Sequence, residues 1–232
     1  YLLQEKTEDQ FIEYKKAFDI LLRSPLLNNR LNLNLAEKKV TVSEDGYPID
    51  LYEKTSLRSN YLIEMMMILA NLCVSETLTR TTTKYISRAH KSPEKQALKD
   101  LNMFLKHNDL PEVREKRTTS RYFNQLIEGY KDPKKKNLIS NFVLRILPKA
   151  KYSEKDNGHF GLNLPLYCHF TSPIRRYADL SVHRSLALAL KWEQNKPSFE
   201  QDQKVICQAI NESEKKSVGA ERDSVARYSA LF

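Results

Sequence analysis

Glycine is scarce. Five glycines in 232 residues leave no stretch with the composition of a flexible linker, which argues for one compact unit or part of one. Neither an internal repeat nor a low-complexity tract is present, so solenoid and tail-like architectures are excluded. Cysteine is also rare. Cys73, Cys168 and Cys207 form an odd set without metal-ligand spacing; no zinc site or disulfide scaffold is expected, and they read as reduced thiols of a cytosolic protein. The longest apolar run, Met65 to Ala70 with its flanks, is interrupted by Glu64 and Asn71 and reads as too short to span a bilayer. No signal peptide is visible, and an opening on Tyr1 rather than methionine fits a fragment. Acidic charge is in the minority. With 38 Lys+Arg against 29 Asp+Glu the net charge is +9, which favours polyanionic partners without proving one, and 41% hydrophobic residues suffice for a core.

Periodicity gives an α+β chain that is predominantly helical. Helices are expected near residues 8–23, 57–80, 93–107, 119–130, 133–147, 172–192 and 199–228, with short strands around 38–43, 47–53 and 85–89. Asp45-Gly46 marks a hairpin turn and Asn157-Gly158 a loop. The basic run Lys131 to Lys136 suits a solvated loop and helix start as well as an RNA contact.

The run from His169 to Arg184, His-Phe-Thr-Ser-Pro-Ile-Arg-Arg-Tyr-Ala-Asp-Leu-Ser-Val-His-Arg, is the most informative stretch. Ser172-Pro173 reads as a helix start, because serine caps free N–H groups and proline at the first position loses no hydrogen bond. Arg175 and Arg176 then fall in the first turn, where the helix dipole disfavours cations. Two arginines there make sense if an anion binds. Ile174, Ala178, Val182, Leu186 and Leu190 give a buried stripe, while Arg175, Asp179 and His183 form a separate row in which the carboxylate fixes the arginine. The result would be an oriented phosphate clamp beside a helix N-terminus. An ordinary capped helix with a surface ion pair has the same spacing.

A second helix, Tyr61 to Val74, is apolar nearly all round, which implies burial. Asn60, Glu64, Asn71 and Ser75 nevertheless line one narrow side of it and must face a polar surface or a cavity. Pairing of Glu64 with a core arginine is the plainer account of the same pattern.

The His169 to Arg184 stretch, with His159-Phe160-Gly161-Leu162 before it, resembles the C-terminal signature of the RNB exoribonucleases, the ribonuclease II and ribonuclease R family. The resemblance extends to Leu31-Asn32-Leu33-Asn34-Leu35-Ala36-Glu37, to Leu62-Ile63-Glu64 with Leu69-Ala70-Asn71, to His90 with Pro93, and to Glu212 through Tyr228. It covers nearly the whole chain. His169, Phe170, Arg176 and Ala178 lean towards the ribonuclease R branch. The resemblance implies the C-terminal half of an RNB catalytic domain, with no complete second domain. It also implies a 3′-to-5′ exoribonuclease that hydrolyses single-stranded RNA to nucleoside 5′-monophosphates, with no obligate protein partner and no membrane.

By that resemblance Arg175 stabilises the pentavalent transition state, and Glu64 lies near the reaction site and reads the ribose. Arg176 and Arg184 grip neighbouring phosphates or brace the helix, and Thr171 and Ser172 add hydroxyl or N–H contacts to phosphate oxygens. Tyr177, like Tyr167, suits either base stacking or the core, and His169 and His183 read as structural. Two departures stand out. Met65 occupies the place of a second family glutamate, and Leu33 that of a phenylalanine that stacks on a base. A third departure is larger. The family binds magnesium with clustered aspartates, whereas the eleven aspartates here are scattered, so the metal ligands are expected upstream of this chain and no metal site within it. An RNB-like RNA-binding protein without nuclease activity, or a helical module that binds acidic proteins, remains open on these residues.

Overall fold

The computed structural model describes residues 2–33, 38–53, 57–108, 110, 112–113, 118–192 and 202–231. Helices α1 (Leu2–Leu22) and α2 (Pro25–Asn28) lead into a hairpin of β1 (Lys38–Val42) and β2 (Pro48–Glu53). Its strands pair antiparallel, Val40 opposite Leu51, across a turn in which Gly46 takes φ +81°. That conformation is open to glycine without strain. Residues 34–37 of the resembling segment, and 199–201 of the expected last helix, lie outside the described residues.

Helix α3 (Arg58–Arg80) is the central element, uninterrupted by glycine or proline, with Asn60 Oδ1 accepting the Leu57 N–H at 3.1 Å at its start. The expectation that no segment could span a bilayer does not survive on length and composition. Its 18-residue window has a mean hydropathy of 1.4 and would suit a span by that measure, because Glu64 and Asn71 dilute the apolar character too little. Its surroundings are those of a core helix. Met65, Ile68 and Leu72 pack with Leu27, Leu164 and Tyr167, while Val74 and Leu78 pack with Tyr85, Cys168 and Val182.

Strand β3 (Ser87–Ala89) pairs antiparallel with β4 (Lys151–Ser153), Arg88 opposite Tyr152, and three residues were too few for periodicity to reveal β4. Between these strands α4 (Lys95–His107), α5 (Ser120–Glu128) and α6 (Pro133–Ile146) build a separate apolar core around Leu101, Phe123, Ile139 and Val143. Thr119 caps α5 through the Tyr122 N–H at 3.2 Å, and Asp132 caps α6 through the Lys134 N–H at 3.0 Å. Leu33 packs against this core, where it offers no stacking face. The chain ends in α7 (Tyr177–Ala189) and the long α8 (Gln203–Leu231), which packs on β4 and touches both strands of the hairpin. Ile206 and Cys207 of α8 join Ile86, Tyr152 and Ala178 in a fourth core.

Candidate functional site

The segment 157–176 runs between β4 and α7 and is tied down along its length. Gly158 (φ +67°) accepts the His90 N–H at 3.0 Å, and a Cβ there would meet the Leu164 carbonyl at 2.9 Å, so only glycine fits. His90 Nδ1 accepts the Gly161 N–H at 3.0 Å, and His159 Nδ1 accepts the Leu162 N–H at 3.1 Å. Burial, then the neighbouring His90 and Arg88, push the His159 pKa down to about 3. Asn71 of α3 holds the next stretch: its Oδ1 accepts the Phe170 N–H at 2.9 Å and its Nδ2 donates to the Tyr167 hydroxyl at 3.0 Å. His183 Nε2 donates to the Phe170 carbonyl at 2.8 Å and its ring stacks on Phe170 at 4.1 Å. His183 thus fixes the loop, in accord with its reading as structural.

The start of α7 differs from expectation. Ser172-Pro173 does not open the helix. Both the Arg175 and Arg176 N–H groups donate to the Ser172 carbonyl, at 3.3 and 3.1 Å, in a closed turn, and α7 begins at Tyr177 with Arg176 as its cap residue. The two arginines therefore precede the first helical turn. The cause is Asp179. It is completely buried, and its Oδ1 accepts both the Ser172 N–H and Arg176 Nη2 at 2.8 Å, which folds the chain back before the helix starts. The carboxylate thus fixes Arg176 and not Arg175, which is exposed and has no ion-pair partner among the described residues. Ile174 is fully exposed and Leu190 is 40% exposed, so the buried stripe is shorter than expected, because Ile174 belongs to the turn.

Glu64 and Arg176 come together. Both line a cavity of about 380 Å³ with Asn60, Asn71, Tyr167 and His169. The polar row on α3 divides here. Asn71 and Ser75 are buried and internally bonded, Ser75 Oγ donating to the Asn71 carbonyl at 2.8 Å, whereas Asn60 and Glu64 are exposed. Glu64 forms an ion pair with Arg30 at 2.8 Å, and the Arg30 guanidinium lies over the Tyr61 ring at 4.7 Å. Arg30 carried no signal in the sequence. Tyr177 is 48% exposed, which removes its core reading, while Tyr167 is buried. Arg184 is exposed on α7, two turns beyond Arg176.

Among the described residues, every buried side-chain polar atom without a hydrogen-bond partner lies between Thr171 and Ser181: Thr171 Oγ1, Arg176 Nε, Asp179 Oδ2 and Ser181 Oγ. Such atoms cost stability when left unpaired, and here they are confined to one segment. Among the described residues no three His, Cys, Asp or Glu side chains stand together in a way that could hold a metal ion. The three cysteines are unpaired thiols, and burial raises Cys168 to about 12, far from a reactive thiolate.

The sequence model of the RNB domain matches residues 8–192. The chain belongs to the RNB family. Ribonuclease R of Aquifex aeolicus is 34% identical over 177 residues, 76% of this chain and 25% of that protein, so this chain spans about a quarter of such a relative. The RNB fold is also shared with ribonuclease R of Mycoplasma genitalium, solved in complex with ribose-methylated single-stranded RNA: TM-score 0.85 and 27% identity, over 94% of this chain and 35% of that one. Yeast Ssd1, a pseudonuclease, is similar in fold alone, with a TM-score of 0.58 and 22% identity over 68% of this chain and 20% of that one.

Proposed function

We propose that these residues form part of a cytoplasmic 3′-to-5′ exoribonuclease that hydrolyses single-stranded RNA to nucleoside 5′-monophosphates in RNA degradation and processing. The chain would supply the C-terminal half of its RNB domain. The observation that carries this reading is the meeting of the Glu64 carboxylate and the braced Arg176 guanidinium in one cavity beside the turn that presents Arg175. A carboxylate and a fixed guanidinium lining one cavity suit a ribose hydroxyl and its neighbouring phosphate. The Mycoplasma genitalium complex with single-stranded RNA supports RNA as the ligand.

In this reading Glu64 accepts from the ribose 2′-hydroxyl of the nucleotide in the cavity, and Arg176 grips its phosphate. Arg175 carries its free positive charge towards the phosphoryl group under attack. Thr171, with its unpartnered Oγ1, and Ser172 contribute phosphate contacts, exposed Tyr177 stacks on a base, and Arg184 meets a more distant phosphate. Magnesium dependence belongs to the same proposal, with ligands from outside residues 1–232. These residues hold and orient the RNA.

The test is digestion of 5′-labelled single-stranded RNA by the full-length protein with and without magnesium. Stepwise shortening from the 3′ end with release of nucleoside 5′-monophosphates is expected. Salt-sensitive RNA binding without any cleavage would make it an RNB-like RNA-binding protein instead, and no RNA binding at all would overturn both.

A further inference from the structure

His169 closes one wall of the cavity that Glu64 and Arg176 share. Its Nδ1 lies 2.9 Å from the Tyr152 hydroxyl. Tyr152 is fixed from several sides. Its N–H donates to Asn211 Oδ1 at 2.8 Å, its carbonyl accepts from Asn211 Nδ2 at 2.9 Å, and the Arg88 guanidinium lies over its ring at 4.5 Å. Arg88 in turn donates twice to Glu214, at 2.7 and 2.8 Å. Two residues of α8, Asn211 and Glu214, therefore brace the ring that braces His169.

This arrangement decides which ring nitrogen of His169 carries the proton. Tyr152 is buried, and among the described residues its hydroxyl has no hydrogen-bond partner other than Nδ1. A buried O–H without an acceptor is costly, so the phenol donates and Nδ1 accepts. Burial, then the positive charges of Arg176 and Arg88, hold the imidazole neutral, with its pKa pushed down to about 3. The single remaining proton sits on Nε2, which has no protein partner among the described residues.

We propose that His169 binds RNA as a neutral donor, its Nε2–H directed at a phosphate oxygen of the nucleotide in the cavity, with Tyr152 as the positioning residue. This rests on the reading of the cavity as an RNA site. A neutral donor adds directional grip beside Arg176 without a second charge, and it does not change protonation across the physiological range. It also gives a histidine that reads as structural from sequence a place in substrate recognition.

The test uses the full-length protein and a single-stranded oligoadenylate in EDTA. His169→Phe is expected to weaken binding about tenfold, the cost of one hydrogen bond to a charged oxygen, while His169→Gln, whose amide N–H replaces Nε2–H, stays within about threefold. Histidine ¹⁵N resonances should show the Nε2–H form of His169, with an Nε2 shift on adding RNA and a mixture of the two forms in Tyr152→Phe. This readout decides the matter even if His169→Phe fails to fold. An Nδ1–H form, or no RNA-dependent shift, would overturn the proposal. Glu64→Ala, run in parallel, separates the two failures. If it alters RNA recognition while His169→Phe does not, only the histidine assignment is wrong; if neither matters, the cavity is not the RNA site.

Discussion

Asp179 Oδ1 and Arg176 Nη2 stand 2.8 Å apart, while Arg175, the adjacent residue, has no carboxylate partner among the described residues. One buried carboxylate thus divides two neighbouring arginines into a braced one and a free one. The same oxygen accepts the Ser172 N–H, so the turn and the guanidinium share a single anchor.

Removing that anchor should unsettle the turn more than neutralising it. Asp179→Ala strands the Ser172 N–H and leaves Arg176 largely buried without its partner, a loss of about 3–5 kcal/mol. Asp179→Asn keeps an acceptor for Ser172 and should lose roughly 1–3 kcal/mol. Denaturant unfolding of the two variants measures the difference. Equal and small losses would show that Asp179 does not hold the turn.

Acid should weaken the fold through its buried histidines, His159 and His169 above all. His159 and His169 both have pKa values pushed down to about 3, against an unfolded value near 6.5. Above about pH 6.5 both states are neutral and the pair contributes no pH dependence. Below it the unfolded chain takes up protons that the folded chain refuses, so stability falls by up to about 1.4 kcal/mol per pH unit for each histidine. Melting temperatures between pH 7.5 and 5 should decline, and His169→Gln should flatten the decline in part, since His159 and His90, whose pKa burial also lowers, keep their shares. A flat profile in the unmodified protein would mean that these rings take up protons in the fold.

Much of this arrangement was legible in the sequence, and what was not had physical reasons. Helix α3 and the β1–β2 hairpin follow from long periodic runs and a turn dipeptide, which are local signals. The start of α7 was misplaced because Ser172-Pro173 satisfies every local rule for a helix start, and the buried carboxylate of Asp179, seven residues on, overrides them. The pairing of Glu64 with Arg30 spans 34 residues and has no local trace. The contact of His169 with Tyr152 was not legible because Tyr152 lies on a three-residue strand too short to show a period.

Glu64 bears on both recognition and stability, and substrate discrimination tells the two apart. Its own carboxylate is 56% exposed, but its partner Arg30 is only 14% exposed, so Glu64→Ala should lower the melting temperature by leaving that guanidinium unpaired. In the full-length protein the same change should weaken discrimination between an RNA and a DNA-tailed substrate by about 1–3 kcal/mol, the worth of one hydrogen bond to a charged acceptor. Equal losses on both substrates would mark Glu64 as structural.

Arg175 and Arg176 can be told apart by the same conservative change. Arg175→Lys keeps the charge and removes the planar fork, and since Arg175 has no ion-pair partner among the described residues, nothing else in the fold should notice. If Arg175 meets the phosphoryl group in the transition state, the full-length variant should bind RNA nearly as well as before while single-turnover cleavage falls on the order of 10²–10³-fold. Arg176→Lys loses part of a guanidinium seated between Asp179 and the cavity, so it should weaken RNA binding and stability together. Arg184→Lys, exposed two turns further along α7, should be mild in both measurements. The opposite pattern, with affinity lost and cleavage intact in Arg175→Lys, would make Arg175 the residue that positions the RNA. Transition-state stabilisation would then have to come from the braced arginine.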